Sequence, residues 1–67
     1  MSVAKVTEIT ASSTKSFEDA IQTGITRASK TLDQVQGTWI QDHEVQVGDG
    51  EITEYRVRMK ITFVLKD

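Results

Sequence analysis

Apolar and polar residues alternate almost strictly along the C-terminal stretch of the chain, from Tyr55 onward. A period of two with one apolar side is typical of a β-strand that buries one face. The pattern therefore predicts a long strand over about 52–65. Its apolar side is Tyr55, Val57, Met59, Ile61, Phe63 and Leu65, and its other side is Arg56, Arg58, Lys60, Thr62, Val64 and Lys66.

A second extended run, over 39–47, is joined to this strand by a turn that contains Asp49 and Gly50. Asp-Gly between two such runs is a strong hairpin signal, because a type I′ turn needs positive φ at both central residues. With these two residues as the loop, Trp39 lies on the basic side of the sheet; a three-residue loop would place it on the apolar side. The two-residue loop predicts the pairs Gly48–Glu51, Val47–Ile52, Val45–Glu54, His43–Arg56, Gln41–Arg58 and Trp39–Lys60.

One strand and one helix are predicted ahead of the hairpin. A run rich in β-branched residues predicts a strand over about 4–11. A helical period then predicts a helix over about 17–35, with Ser16 as N-cap and Gly37 as C-cap. Gly24 weakens this helix, so we expect the helix to approach the sheet closely there. The apolar stripe is Phe17, Ala20, Ile21, Ile25, Ala28, Leu32 and Val35, and the polar side is Gln22, Arg27, Lys30 and Asp33.

The element order predicts a single α+β domain over residues 1–67, in which one helix packs on one face of a sheet in two layers. The last strand is longer than one short helix can cover, so part of its apolar side must be exposed or covered by another subunit. A chain of 67 residues without cysteine has no disulfide to stabilise it, and we therefore predict an oligomer. The predicted core is Phe17, Ile21, Ile25, Leu32, Tyr55, Met59, Ile61 and Phe63.

Composition argues against several classes of partner and function. A net charge of −2 and a pI of about 5.2 argue against nucleic acid. No apolar run approaches the roughly 20 residues that span a membrane, and the N-terminal sequence lacks the apolar core of a secretion signal, so we expect a cytoplasmic protein. A single histidine excludes a histidine metal cluster within one chain. The chain has no phosphate-binding glycine loop and no catalytic triad pattern, which predicts that it is not an enzyme.

Four stretches resemble the dodecins, a family of small flavin-binding proteins. They are KVTEITASSTKSFEDAI, TRASKTL, a single tryptophan soon after the helix, and EYRVRMKITFVL. The resemblance covers essentially the whole chain. It implies a βαββ fold, in which a three-stranded antiparallel sheet wraps on one helix, and assembly into a hollow homo-dodecamer. It also implies that Trp39 stacks on the isoalloxazine ring of a flavin, with pairs of flavins between symmetry-related subunits.

Arg56 departs from the family pattern at this implied site. Members of the family commonly carry a glutamine there, in a segment YQV, which bonds the polar edge of the flavin; the matching segment here is Tyr55-Arg56-Val57. Glutamine offers a donor and an acceptor, whereas arginine offers donors only. Arg56 is therefore predicted to reach the flavin carbonyls but not the ring N3–H. The Trp-Phe-Glu-Val run of many bacterial members is also changed, to Trp39-Ile40-Gln41-Asp42.

These residues also have ordinary structural interpretations. Trp39 could be a core or interface residue, and Arg56 could form only an ion pair with Glu44 or Glu54. The other polar residues of the hairpin are expected at the surface, at interfaces or in salt bridges between subunits, and they are His43, Arg58 and Lys60.

Three functions follow from these alternatives. The first is a non-enzymatic protein that stores or sequesters riboflavin, FMN or a related flavin, as the resemblance implies. The second is a flavin-dependent oxidoreductase, which is disfavoured because no substrate pocket is indicated beside a flavin held on both faces. The third is a structural shell that has lost its ligand through the change at Arg56.

Overall fold

A computed structural model describes residues 3–32 and 34–65 of the chain. In it one helix lies on one face of a three-stranded antiparallel sheet, in which the last strand is central and the other two are edges. The predicted βαββ fold is thereby confirmed. The elements are β1 (Ala4–Ser13), α1 (Phe17–Ala28), β2 (Val35–Gly48) and β3 (Glu51–Val64).

The core forms where small residues of α1 meet the apolar side of β3. Val57, Met59 and Ile61 are fully buried, as is Ala20 of the helix. Only Met59 and Ile61 of the predicted core residues reach full burial, because α1 covers β1 and β3 and leaves the apolar side of β2 largely bare. The partly buried residues around this core are Ile9, Ala11, Phe17, Ile21, Leu32 and Val35.

Gly24 allows the close approach that the sequence predicts. A Cβ atom at this position would lie 2.6 Å from Met59 Cε and 3.0 Å from Ala11 Cβ. The first distance is shorter than carbon atoms adopt and the second is at that limit, so the buried Met59 side chain or the helix itself would have to shift.

Replacing Gly24 with alanine is therefore expected to destabilise the fold. The gain in helix propensity, up to about 1 kcal/mol, is smaller than a typical overpacking cost of about 1–3 kcal/mol. We expect a net loss of about 1 kcal/mol in the free energy of unfolding, measured by urea denaturation at fixed protein concentration. Gln22→Ala, on the exposed side of the same helix, is the control and should leave stability unchanged or slightly raised.

The N-terminus of α1 confirms Ser16 as the cap. Ser16 is extended, with φ −169° and ψ 166°, and its side chain accepts a hydrogen bond from the Asp19 backbone N–H at 3.0 Å. The Asp19 carboxylate accepts a second bond from Ser13 Oγ at 2.6 Å. This bond ties the end of β1 to the first turn of the helix.

The helix is shorter than predicted, since it ends at Ala28 and the residues up to 35 are not helical. The N–H of Thr31 bonds back to the Ala28 carbonyl at 3.1 Å, and its hydroxyl bonds the same carbonyl at 3.4 Å, which tightens the last turn. Leu32 and Val35 still pack on the core, so the apolar spacing of the helix continues beyond its last residue. Gly37, predicted as the C-cap, lies within β2. Asp33, predicted on the polar side of the helix, lies outside the described residues, as does Lys66 of the last strand.

The hairpin has the predicted two-residue loop. Asp49 and Gly50 have φ of 53° and 77°, and the pairs Gly48–Glu51 and Val47–Ile52 form as expected. Positive φ at both loop residues is the type I′ requirement that the Asp-Gly sequence satisfies.

Two β-bulges change the register between the loop and Trp39. The first leaves Thr53 of β3 unpaired, and the second leaves Gln41 of β2 unpaired. Between the bulges the predicted pairs Val45–Glu54, His43–Arg56 and Gln41–Arg58 are wrong. The observed pairs there are Val45–Tyr55, Glu44–Arg56, His43–Val57 and Asp42–Arg58. Because each strand carries one extra residue, the two shifts cancel, and the predicted pair Trp39–Lys60 is confirmed.

Candidate functional site

Trp39 stands on the outer face, by which we mean the side of the sheet away from α1. Directly opposed residues of a sheet share a face, and Trp39 pairs with Lys60 rather than with the buried Met59 or Ile61. The indole is 63% exposed, which is high for the largest apolar side chain of the molecule. This exposure rules out the interpretation of Trp39 as a core residue of the single chain.

The surroundings of Trp39 are flat and open. Glu8, Lys60 and Trp39 form one row across the three strands, and Thr62 and Gly37 belong to the next row. A Cβ built on Gly37 would meet nothing within 4 Å. One flank of the indole is therefore bare backbone, over which a planar molecule could lie without steric conflict.

Two irregularities of β2 flank Trp39 and set its orientation. The register shifts at Gln36 and again at Gln41, on either side of the tryptophan. Between them, the hydroxyl of Thr38 donates a hydrogen bond to the carbonyl oxygen of Lys60 at 3.3 Å. Bulges bend and twist a strand locally and re-aim the side chains near them. The short paired segment between the two bulges thus holds the indole above the outer face.

Arg56 lies on the same face but far from Trp39. It is four residues from Lys60 along β3, which is about 14 Å at ~3.4 Å per residue. Its guanidinium forms an ion pair with Glu54, with Nη2 2.8 Å from Oε1. Of the two ion-pair partners predicted for it, Glu54 is therefore the one used. The structure does not bring the two predicted site residues together within one chain.

Arg58 occupies the space between Arg56 and Trp39, and its charge is compensated within the chain. Its Nε lies 2.9 Å from Asp42 Oδ1, and its Nη2 lies 3.4 Å from Glu44 Oε1. The predicted register paired Arg58 with Gln41 and so missed this cluster. No feature of the sequence marks the bulge that brings Asp42 opposite Arg58. The ion pairs formed by the described residues do not include Lys60.

His43 lies on the helix side of the sheet, which corrects its predicted pairing with Arg56. Its ring stacks on Phe17, with centroids 4.5 Å apart and planes at 18°. Tyr55 meets Phe17 edge-on at 5.1 Å. The three rings join the start of α1 to the hairpin, and the geometry gives His43 a packing role.

The described part of the chain indicates neither a metal centre nor a membrane-spanning helix. Residues 3–32 and 34–65 contain no group of three or more His, Cys, Asp or Glu side chains that could hold a metal ion. Over the same residues, no helix has the length and apolar character needed to cross a membrane. Trp39 and the polar residues around it are thus the best candidate for a binding site.

Comparison with known proteins gives a consistent result. The family model described as Dodecin matches residues 3–66. A dodecin from Streptomyces davaonensis is 33% identical, with 98% of this chain and 97% of that chain covered and a TM-score of 0.94. A variant of the dodecin from Thermus thermophilus is 28% identical over the full length of both chains, with a TM-score of 0.95.

The name of a third similar structure includes calcium. It is the calcium chelating immunodominant antigen, calcium dodecin, from Mycobacterium tuberculosis, described with a novel calcium-binding site. It is 26% identical, covers 96% of this chain and 91% of its own, and has a TM-score of 0.84. Among curated proteins the sequence has no significant match.

Proposed function

The chain belongs to the dodecin family, and we propose that it is a non-enzymatic protein that stores or sequesters a flavin such as riboflavin or FMN. The observation that carries this proposal is the exposure of Trp39, at 63%, on an open part of the outer face. A flat aromatic side chain held away from the core is suited to stacking on a planar ring. Stacking of a nucleobase on an aromatic side chain contributes about 1–3 kcal/mol, and the isoalloxazine ring is larger than a base.

The distance between Trp39 and Arg56 supports a site shared between subunits. Arg56 lies about 14 Å along β3 from Lys60, the residue opposite Trp39, so one flavin stacked squarely on the indole is beyond the reach of Arg56 of the same chain. We propose that Arg56 of a neighbouring subunit approaches the polar edge of the ring. This arrangement requires a symmetric assembly, and we propose the homo-dodecamer.

Flavin is favoured over calcium because the acidic side chains nearest to Trp39 on β2 are already paired with an arginine. Asp42 and Glu44 are the acidic pair nearest to Trp39 on β2, and both are engaged by Arg58 at 2.9 and 3.4 Å. A calcium ion takes six to eight oxygen ligands, and a guanidinium in the middle of the two carboxylates opposes a second cation. The calcium described for the Mycobacterium relative is therefore not proposed for this chain.

An oxidoreductase is disfavoured for a geometric reason. If Trp39 of one subunit covers one face of the flavin and a second ring or indole covers the other, neither face is open to a hydride donor. We expect the flavin-loaded protein to consume no NADH or NADPH above the rate of free flavin. Steady consumption at a rate proportional to protein concentration would contradict the proposal.

The direct test of flavin binding uses the fluorescence of Trp39, the only tryptophan of the chain. Riboflavin added to the ligand-free oligomer should quench the indole emission in a saturable way, because a stacked flavin accepts excitation from the indole. Lumichrome and free ribitol serve as controls for the ring and the chain of the ligand. If the emission does not change and calorimetry detects no heat of binding, Trp39 is not a flavin platform and the third hypothesis, an empty shell, is preferred.

The proposed assembly is tested separately by native mass spectrometry. At micromolar concentration we expect a dominant species of about twelve times the chain mass of 7.5 kDa, since closed point-group assemblies are the rule for soluble homo-oligomers. The bare apolar residues on the β2 side of the sheet, including Ile40 and Val45, give the physical reason for assembly. A folded monomer as the main species would contradict it.

A further inference from the structure

A groove runs along the free edge of β1, between that strand and one side of α1. Its cavity volume is about 500 Å³. Four consecutive residues of β1, 9–12, line it. Neighbouring residues of a strand point to opposite faces, so a wall made of four in a row is the edge of the strand itself. The opposite wall is formed by the helix and the turn after it, where Gly24 and Ala28 are small and Leu32 is a larger apolar residue.

The groove has the shape and bonding groups to accept an extended strand. β1 is an edge of the sheet, so its outward N–H and C=O groups have no strand partner among the described residues. Small side chains on the helix wall leave room beside the edge. The apolar floor of the groove, which includes Ile9 and Leu32, is only partly buried. Arg27 is the only charged residue that lines the groove, which favours an acidic segment over a basic one.

The tip of the hairpin is such a segment. We call residues 46–54 the arm, because they extend past the last pair between β1 and β3, which is Ser13–Tyr55. The opposed residues Val47 and Ile52 are 64% and 53% exposed there. The arm contains three carboxylates and no basic residue. Of the carboxylates, only Glu54 takes part in an ion pair among the described residues.

We propose that the arm of one copy of this chain lies in the groove of a second copy. The β2 edge of the arm pairs with the free edge of β1, and Val47 with Ile52 covers the apolar floor. Asp49 and Glu51 come close to Arg27. The fit is supported by length, since four residues of β1 measure about 13 Å and the three paired residues of β2 in the arm about 10 Å.

This contact joins two different surfaces and therefore has a direction. Each copy offers one arm and one groove, so the contact is heterologous and closes into a ring when the rotation between copies permits. The groove lies along the far edge of the sheet from β2, which carries Trp39. The proposal thus needs no flavin. It concerns a contact within the proposed assembly, so its failure would leave flavin stacking on Trp39 uncontradicted.

Cysteine cross-linking tests the contact cleanly, because the natural chain has no cysteine. A Val47→Cys chain is assembled with a Thr23→Cys chain that carries a mass tag, and the mixture is oxidised mildly. Thr23 lines the groove. The control partner is Thr26→Cys, on the same helix and exposed, but outside the groove. Ile52→Cys provides a second position on the arm.

The expected result is a disulfide between arm and groove chains on a non-reducing gel. Disulfides need Cα atoms within about 7 Å, so we expect at least roughly a fivefold higher yield with Thr23→Cys than with Thr26→Cys. Each single variant oxidised alone should give little dimer, because a heterologous contact does not bring identical positions together. Equal yields at the two threonines, or no cross-link to Thr23→Cys from either arm position, would overturn the proposal.

A second test exchanges the charges of Arg27 and Glu51 and measures the assembled fraction. Arg27→Glu should reduce the assembled fraction in native mass spectra at low salt, and adding Glu51→Lys in the same chain should restore it. The double variant keeps the same substituted helix, so restoration separates the contact from an effect on helix stability. Lys15→Glu, outside the groove, is the control. Assembly of Arg27→Glu at the level of the parent would contradict the assignment of Arg27.

Discussion

Replacing Trp39 with alanine is expected to weaken flavin binding by at least about tenfold, which corresponds to about 1.4 kcal/mol. The estimate follows from an aromatic stacking contribution of about 1–3 kcal/mol. The indole is 63% exposed, so its removal leaves no cavity in the core and the fold should keep its stability. Calorimetric titration with riboflavin gives the affinity, and native mass spectrometry confirms that the assembly is intact.

A Trp39→Phe variant is the matched control. It keeps an aromatic face of smaller area, so its affinity should fall between those of the parent and the alanine variant. Circular dichroism at the same concentration checks that both variants fold alike. An intact Trp39→Ala oligomer that binds riboflavin as tightly as the parent would remove Trp39 from the site.

Changing Arg56 to glutamine is expected to tighten flavin binding by about 0.5–1.5 kcal/mol, the usual net contribution of one hydrogen bond. Glutamine can both donate to a flavin carbonyl and accept from the ring N3–H, whereas the arginine can only donate. The present ion pair with Glu54 does not prevent this gain, because its side chains are about one third exposed and ion pairs open to solvent contribute only about 0–1 kcal/mol. Calorimetry with riboflavin compares the variant with the parent.

Glu54→Gln separates the two roles of Arg56. It removes the ion-pair partner at 2.8 Å and leaves the arginine in place. If Arg56 contacts the flavin, releasing it from Glu54 should change the affinity as well. An affinity that stays flat in both variants means that Arg56 only pairs with Glu54 and does not belong to the site.

The strands and their turn could be predicted because their signals are local. The alternation after Tyr55 indicates β3, and Asp49-Gly50 indicates a two-residue loop. The helix end could not be predicted in the same way. Leu32 and Val35 continue the apolar spacing of α1 but belong to a turn and to β2. Periodicity shows which residues reach the core, and it does not show which backbone conformation takes them there.

Part of the candidate site could be predicted from the sequence. The position of Trp39 was predicted correctly only because two register shifts cancel. Trp39 lies opposite Lys60 as predicted, although the pairs between the bulges at Gln41 and Thr53 are shifted by one residue. A bulge has no sequence signature as clear as that of a turn, and neither Thr53 nor Gln41 stands out. The ion pairs of Arg58 with Asp42 and Glu44 therefore became visible only in the structure. Whether Arg56 meets a flavin depends on contacts between subunits, which a single chain does not contain.

The paired bulges have a consequence for comparing chains of unequal length. A residue can be lost at Gln41 or at Thr53 without disturbing the pairing on either side, because neither has a partner across the ladder. Between Trp39 and the loop, the hairpin therefore tolerates the loss of one residue on either strand. A relative shorter by one residue in either strand can keep its tryptophan opposite the same lysine. An alignment that opens its gap elsewhere between Trp39 and Arg56 would assign the residues between the true and the chosen gap to the wrong side of the sheet.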